Sequence, residues 1–151
     1  MSIDNREFYH VSLKAIVKNS EGKVLILKAA EVGTFSGYYD FPGGRIDKDE
    51  FKTPMIDILQ REVLEEVGDV EVSINPVPVG VGRHLIFSKF TATKEKDIPV
   101  LYLFFEASYI KGDAIISSEH SGIEWVDLEN IDLEKYFTSG ILEAVKMYLK
   151  K

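Results

Sequence analysis

The chain has no cysteine among its 151 residues. Disulfide staples, zinc–thiolate sites and thiol nucleophiles are therefore excluded. No apolar run reaches membrane-spanning length, and Met1 to His10 lacks the basic-then-apolar order of a secretory leader. A cytoplasmic protein with no membrane partner is expected. Positive charge is also scarce: 18 Lys and Arg stand against 25 Asp and Glu, a net charge of −7. Sequence-independent nucleic-acid binding usually needs the opposite balance, so no nucleic-acid partner is expected. An acidic protein still takes an anionic substrate if bound cations reverse the local field. Repeats, low-complexity stretches and linkers are missing too. Residues 1–151 thus read as one domain with a core of its own.

What is present is a run of short strands and two longer helices. Tyr9 to Lys18 and Lys23 to Lys28 read as strands around the turn Asn19-Ser20-Glu21-Gly22. Glu31 to Tyr38 reads as a loop, and Asp40-Phe41-Pro42-Gly43-Gly44 as a short strand entering a glycine turn. Further strands are expected at Val70 to Val79, His84 to Thr91 and Val100 to Tyr109. The last is apolar on both faces, so it belongs in the middle of a sheet covered on both sides. Thr53 to Val67 reads as a helix, with Thr53 as N-cap, Pro54 at the first helical position and Gly68 as C-cap. Thr138 to Leu149 reads as a closing amphipathic helix. The expected class is an α/β (α+β) sandwich, a mixed sheet between helices.

The first helix carries the chemistry. At about 100° per residue, Ile56, Leu59, Val63 and Val67 fall in one stripe that packs on the sheet. Glu62, Glu65 and Glu66 then project together from a neighbouring face. Three like charges so close are unfavourable unless something positive lies between them. Hard oxygen ligands suit Mg²⁺ or Mn²⁺. Arg61, four residues before Glu65, is placed to orient it. Acidic residues on a helix are usually just its solvated face. What makes these different is Pro42-Gly43-Gly44 upstream, where the missing side chains let backbone approach a metal or phosphate.

Gly44-x5-Glu50, then Arg61-Glu62-Val63-Leu64-Glu65-Glu66-Val67-Gly68, resembles the Nudix box, Gly-x5-Glu-x7-Arg-Glu-hydrophobic-x-Glu-Glu-x-Gly-hydrophobic. The resemblance implies a Nudix fold. It also implies a hydrolase that splits a nucleoside diphosphate linked to another moiety, with Mg²⁺ or Mn²⁺ as cofactor. It makes Glu65 and Glu66 metal ligands, the Gly43 carbonyl a backbone ligand, and Glu62 a ligand or the general base. Gly44, Arg45, Glu50 and Arg83 are the residues expected to meet substrate phosphates. Some members place another catalytic glutamate on a loop shortly before a tryptophan; Glu119 precedes Trp125 here. Two departures stand out. Ten residues, not seven, separate Glu50 from Arg61, and Asp69 occupies the last hydrophobic position. The extra Phe51-Lys52-Thr53 put Glu50 in the loop entering the helix.

Other signals are weaker. His10, His84 and His120 each stand alone and read as structural or surface residues. Arg83, Lys89, Lys94 and Lys96 either meet substrate phosphates or, more simply, form a solvated hairpin and its tip. Phe35, Tyr38 and Tyr39 either stack on a base or pack the turn, and Trp125 reads as a core residue. A nucleotide-sensing module without catalysis is the alternative from another class; clustered repulsive acids argue against it. Isopentenyl diphosphate isomerase shares the fold but needs a cysteine. The proline and tyrosine that mark ADP-ribose and dinucleoside-polyphosphate hydrolases are replaced here by His84-Leu85 and Ile86-Phe87. The expected partner is a small nucleotide, and a homodimer is compatible with all of this.

Overall fold

The computed structural model describes residues 3–92 and 94–151. Met1 and Ser2, part of the Met1 to His10 segment considered above, lie outside the described residues. In chain order the elements are β1 (His10–Lys18), β2 (Val24–Ala29), β3 (Tyr39–Asp40), β4 (Gly43–Arg45), α1 (Met55–Val67), β5 (Glu71–Ile86), β6 (Ile98–Lys111), β7 (His120–Val126), α2 (Leu133–Tyr136) and α3 (Ser139–Leu149). Among the described residues, no helix is long and apolar enough to cross a membrane.

The strands form one mixed sheet in the order β3-β2-β1-β6-β5. β1 and β6 run parallel, and the remaining pairings are antiparallel. The Asn19 side chain organises the first turn by accepting from the backbone N–H groups of Glu21 and Lys23. β1 and β2 are in register only at Lys18 and Val24. Beyond that point they splay: β4 pairs with β1, and β3 and β7 pair with β2. The opening this leaves between them positions the site.

Alternation sorts the side chains. Leu13, Ala15, Val17, Leu25, Leu27, Phe105 and Ala107 face α1, while Ile16, Val24, Ile26, Tyr102 and Phe104 face α3. β6 is central and covered on both sides, as its two apolar faces require. The buried stripe of α1 is Ile58, Leu59, Val63 and Val67. Ile58 thus takes a core place, and Ile56 is only partly buried at the margin.

Four boundaries differ from the sequence reading. Pro54, not Thr53, caps α1, because its ψ of 137° is still extended and the helix begins at Met55. The two strands expected after α1 are one, β5, interrupted by bulges near Pro78. Gly80 and Gly82 do not break it; they let α3 come close. A Cβ on Gly82 would lie 1.9 Å from the Gly140 carbonyl oxygen. Ser88–Phe90 is a single 3₁₀ turn rather than strand. The "glycine turn" at Gly43-Gly44 is extended strand β4, with Lys14 opposite Gly43 and Leu13 opposite Gly44.

Candidate active site

Two glycines make room for the site. Gly43 has φ +154, and a Cβ there would lie 1.9 Å from the Leu13 carbonyl oxygen. Only glycine lets β4 lie against β1 in this way. A Cβ on Gly44 would sit 2.4 Å from Glu62 Oε2, so the Glu62 carboxylate rests directly over that glycine. Burial first, and then Glu65 and Glu50, push the Glu62 pKa up, while Arg61 opposes them.

Arg61 is the hub of the outer side. Its Nη1 donates to Glu65 Oε1 at 3.1 Å and its Nη2 to Glu50 Oε2 at 2.6 Å, and Glu62 Oε1 lies 3.4 Å away. Glu50 ends a short 3₁₀ turn, Lys48–Glu50, before the helix. It accepts the Asp47 backbone N–H through Oε1 at 2.9 Å. That bond, with Arg61, holds its carboxyl below the usual range. The insertion therefore keeps Glu50 off the helix but does not remove it from the Arg61 fork.

Glu66 points the other way, inward. Its Oε2 is buried and has no hydrogen-bond partner in the protein. Burial pushes its pKa up to about 8; Lys14 opposes this, and Asp40, Glu119 and Glu62 add to it. An unpaired buried carboxylate oxygen is expensive, and a cation is what such an oxygen lacks. Among the described residues, no three carboxylates or imidazoles already converge as a metal cage. The three acids instead occupy three environments: Glu65 on Arg61, Glu62 over Gly44, and Glu66 inside. The donor set, hard oxygens with one left unpaired, fits a divalent cation.

Sequence reasoning missed Lys14 and Asp40. Lys14 is 7% exposed, and its Nζ donates to Asp40 Oδ2 at 2.9 Å. Burial pulls its pKa down, but Asp40 and then Glu66 outweigh burial, so the net direction is up. Lys14 stays charged. The signal was present: a lysine in the middle of the apolar run of β1. His120 was read as isolated but is not, since its Nε2 is 3.9 Å from Glu66 Oε2. That is too long for a hydrogen bond. Burial also lowers its pKa, which favours the neutral ring.

Glu119 is exposed on the turn before β7, on the Glu66 side. Arg45 ends β4 and borders a small depression with Lys14, Asp40 and Gly44. Arg83 is elsewhere: it donates to the Tyr9 hydroxyl at 3.4 Å and borders a surface hollow with Leu85 and Pro99. No contact among the described residues joins it to the carboxylates, because β5 is separated from β4 by β6 and β1. His84 is structural, with Thr34 and Ser139 hydroxyls each 2.7 Å from its two ring nitrogens. Tyr39 is occupied by Glu124 and Tyr136, and Trp125 packs edge-on against Tyr109.

The geometry agrees with what this chain is similar to. A nucleoside triphosphatase, NudI, of Klebsiella pneumoniae is 28% identical over 118 residues, 76% of this chain and 82% of that protein. The crystal structure of a MutT protein from Methanosarcina mazei Go1 superposes with a TM-score of 0.69 at 24% identity, covering 96% of this chain and 94% of that one. The solution structure of the E. coli ORF135 protein gives a TM-score of 0.69 at 18% identity, covering 94% and 89%. The model of the NUDIX domain matches residues 8–146, nearly the whole chain, and so the protein belongs to the Nudix hydrolase family.

Proposed function

We propose that this Nudix hydrolase cleaves a phosphoanhydride bond in a nucleoside di- or triphosphate derivative, with Mg²⁺ or Mn²⁺ as cofactor. The observation that carries the reading is the buried, unpartnered Glu66 Oε2 on the same helix as Glu62 and Glu65. Glu62, Glu65, Glu66 and the Gly43 carbonyl are the groups that would hold the ion. Bound there, the ion would supply positive charge to phosphate oxygens and acidity to water. Arg61 fixes the direction of Glu65. Lys14 and Arg45 offer positive charge to the phosphates from the β1–β4 side. Glu62 or Glu119 accepts the proton as water attacks phosphorus in line. The NudI relative's name makes nucleoside triphosphates the first class to try.

The test is a screen of nucleoside triphosphates, nucleotide sugars and dinucleotides for phosphate or pyrophosphate release with Mg²⁺. Turnover is expected, EDTA should abolish it, and Mg²⁺ or Mn²⁺ should restore it. Full activity in metal-free buffer, or tight nucleotide binding with no turnover, would overturn the reading.

Glu50 provides a graded check. It touches Arg61 and the Asp47 backbone, and its effect on the ion runs through Arg61. Glu50→Gln keeps the shape but loses the charge. The expected loss in kcat/KM is about tenfold, or about 1.4 kcal/mol. A loss as severe as that from removing Glu65 would put Glu50 on the ion itself.

A further inference from the structure

The first of the three extra residues of the box borders a second hollow. Phe51 is 91% exposed. It borders a cavity of about 760 Å³ together with Tyr9 and Phe90, each also substantially exposed. Arg45 and Lys48 border the same cavity, with Asp47 between them in the chain. Among the described residues neither has a carboxylate partner; Arg45 has only a 3.3 Å contact with His10 Nδ1. Aromatic rings beside unpaired cations match a ligand with a planar ring and an anionic tail.

Position says which ligand. Arg45 borders both this cavity and the smaller depression of about 140 Å³ with Lys14, Asp40 and Gly44. With Ile86, it is shared between the Phe51 hollow and the one that Lys14 and Asp40 line. The smaller depression is about the size that admits a single benzene ring. The larger falls in the range of about 300–1,000 Å³ usual for small-molecule sites. Arg45 follows Gly44, the glycine under Glu62, along β4, and a ring attached to a phosphate held at Arg45 extends toward Phe51.

We infer that the insertion Phe51-Lys52-Thr53 creates a substrate subsite, in which the base of the nucleotide stacks on Phe51 with its phosphates on Arg45 and Lys48. The inference rests on reading the site as a nucleotide hydrolase. It makes Phe51 a specificity-determining residue. Stacking favours no particular base, since every base has a π-face, so discrimination should follow ring size.

The test uses the whole protein and ligands with no phosphoanhydride bond, so binding is read apart from hydrolysis. AMP, GMP, CMP and UMP are titrated against ribose 5-phosphate. Purine monophosphates should bind more tightly than ribose 5-phosphate, and Phe51→Ala should weaken them roughly tenfold. Phe51→Trp should preserve binding, with the new indole quenched by the base. For any nucleotide hydrolysed in the screen, Phe51→Ala should raise KM far more than it lowers kcat. Because Phe51 is so exposed, both variants should fold, and their melting curves would verify it. Equal affinity of wild type for nucleotide and ribose 5-phosphate would overturn the inference. So would unchanged affinity in Phe51→Ala, and a change only in oligomeric state would assign the ring to a second copy of the chain. Hydrolysis without any Phe51 effect defeats the subsite alone; stacking without hydrolysis defeats the reaction alone.

Discussion

Glu66→Gln is expected to lower kcat/KM by roughly a thousandfold, about 4 kcal/mol of transition-state stabilisation. The substitution replaces one carboxylate oxygen with an amide nitrogen of similar size. It keeps packing and removes the charge. Glu66 is the acid with an unpaired buried oxygen, and its inner position leaves water poorly able to replace an ion there. Glu65→Gln should be comparably severe if Glu65 turns from Arg61 to the ion once one is bound. It has farther to go, since Arg61 Nη1 now holds both its oxygens, at 3.1 Å and 3.3 Å. The comparison is made on one substrate at saturating Mg²⁺, with Kd for the metal measured alongside. A loss below tenfold for Glu66→Gln would remove the central residue of the proposed chemistry. A severe loss with unchanged metal affinity would move Glu66 from ligand to another role.

The sequence carried the fold where patterns repeat. The two apolar faces of β6 announced a strand covered on both sides, and the 3.6-residue period placed both long helices to within a residue or two. Short-range readings failed where tertiary contacts decide. Gly80 and Gly82 look like strand breakers, but the reason for glycine there is the backbone of α3, far away in sequence. β7 lies in a stretch with too little alternation to show itself, and pairing with β2 defines it. The same contrast governs the site. Arg61 and Glu65 are four apart on one helix, so their pairing was readable. The Arg61–Glu50 contact crosses the insertion and depends on how a loop folds. Lys14 and Asp40 are 26 residues apart, and Glu66 is on a third element, so their meeting could not be read from spacing. Arg83 has only its charge to recommend it in the sequence, and its place on β5, two strands from β1, depends on sheet order.

In metal-free buffer the protein should lose stability as pH rises, and Mg²⁺ should reverse the trend. Glu66 has a folded pKa of about 8, well above the ordinary glutamate value. The folded state thus holds a proton that the unfolded chain releases. A group of this kind leaves stability intact below its unfolded pKa. It removes stability as pH climbs toward the folded value, after which the loss levels off. The upper bound is on the order of 5 kcal/mol, reduced in practice by relaxation and water around the ionised form. At the scaling for a domain of this size, the melting temperature should drop by roughly 5–10 °C between about pH 5 and about pH 8.5. His84 and His120, whose pKa values burial lowers, act in the opposite direction over a more acidic window. The quantity to measure is therefore the difference between wild type and Glu66→Gln across pH. Glutamine cannot ionise, so the variant should lose this slope and be the more stable protein at alkaline pH without metal. Mg²⁺ at about a hundred times its Kd adds about 2.7 kcal/mol to the wild type. The gain should grow with pH, because only the ionised carboxylate binds the ion. Parallel melting curves for the two proteins without metal would mean that Glu66 is ionised and satisfied in the folded chain. The orphaned oxygen on which the metal site rests would then have a partner.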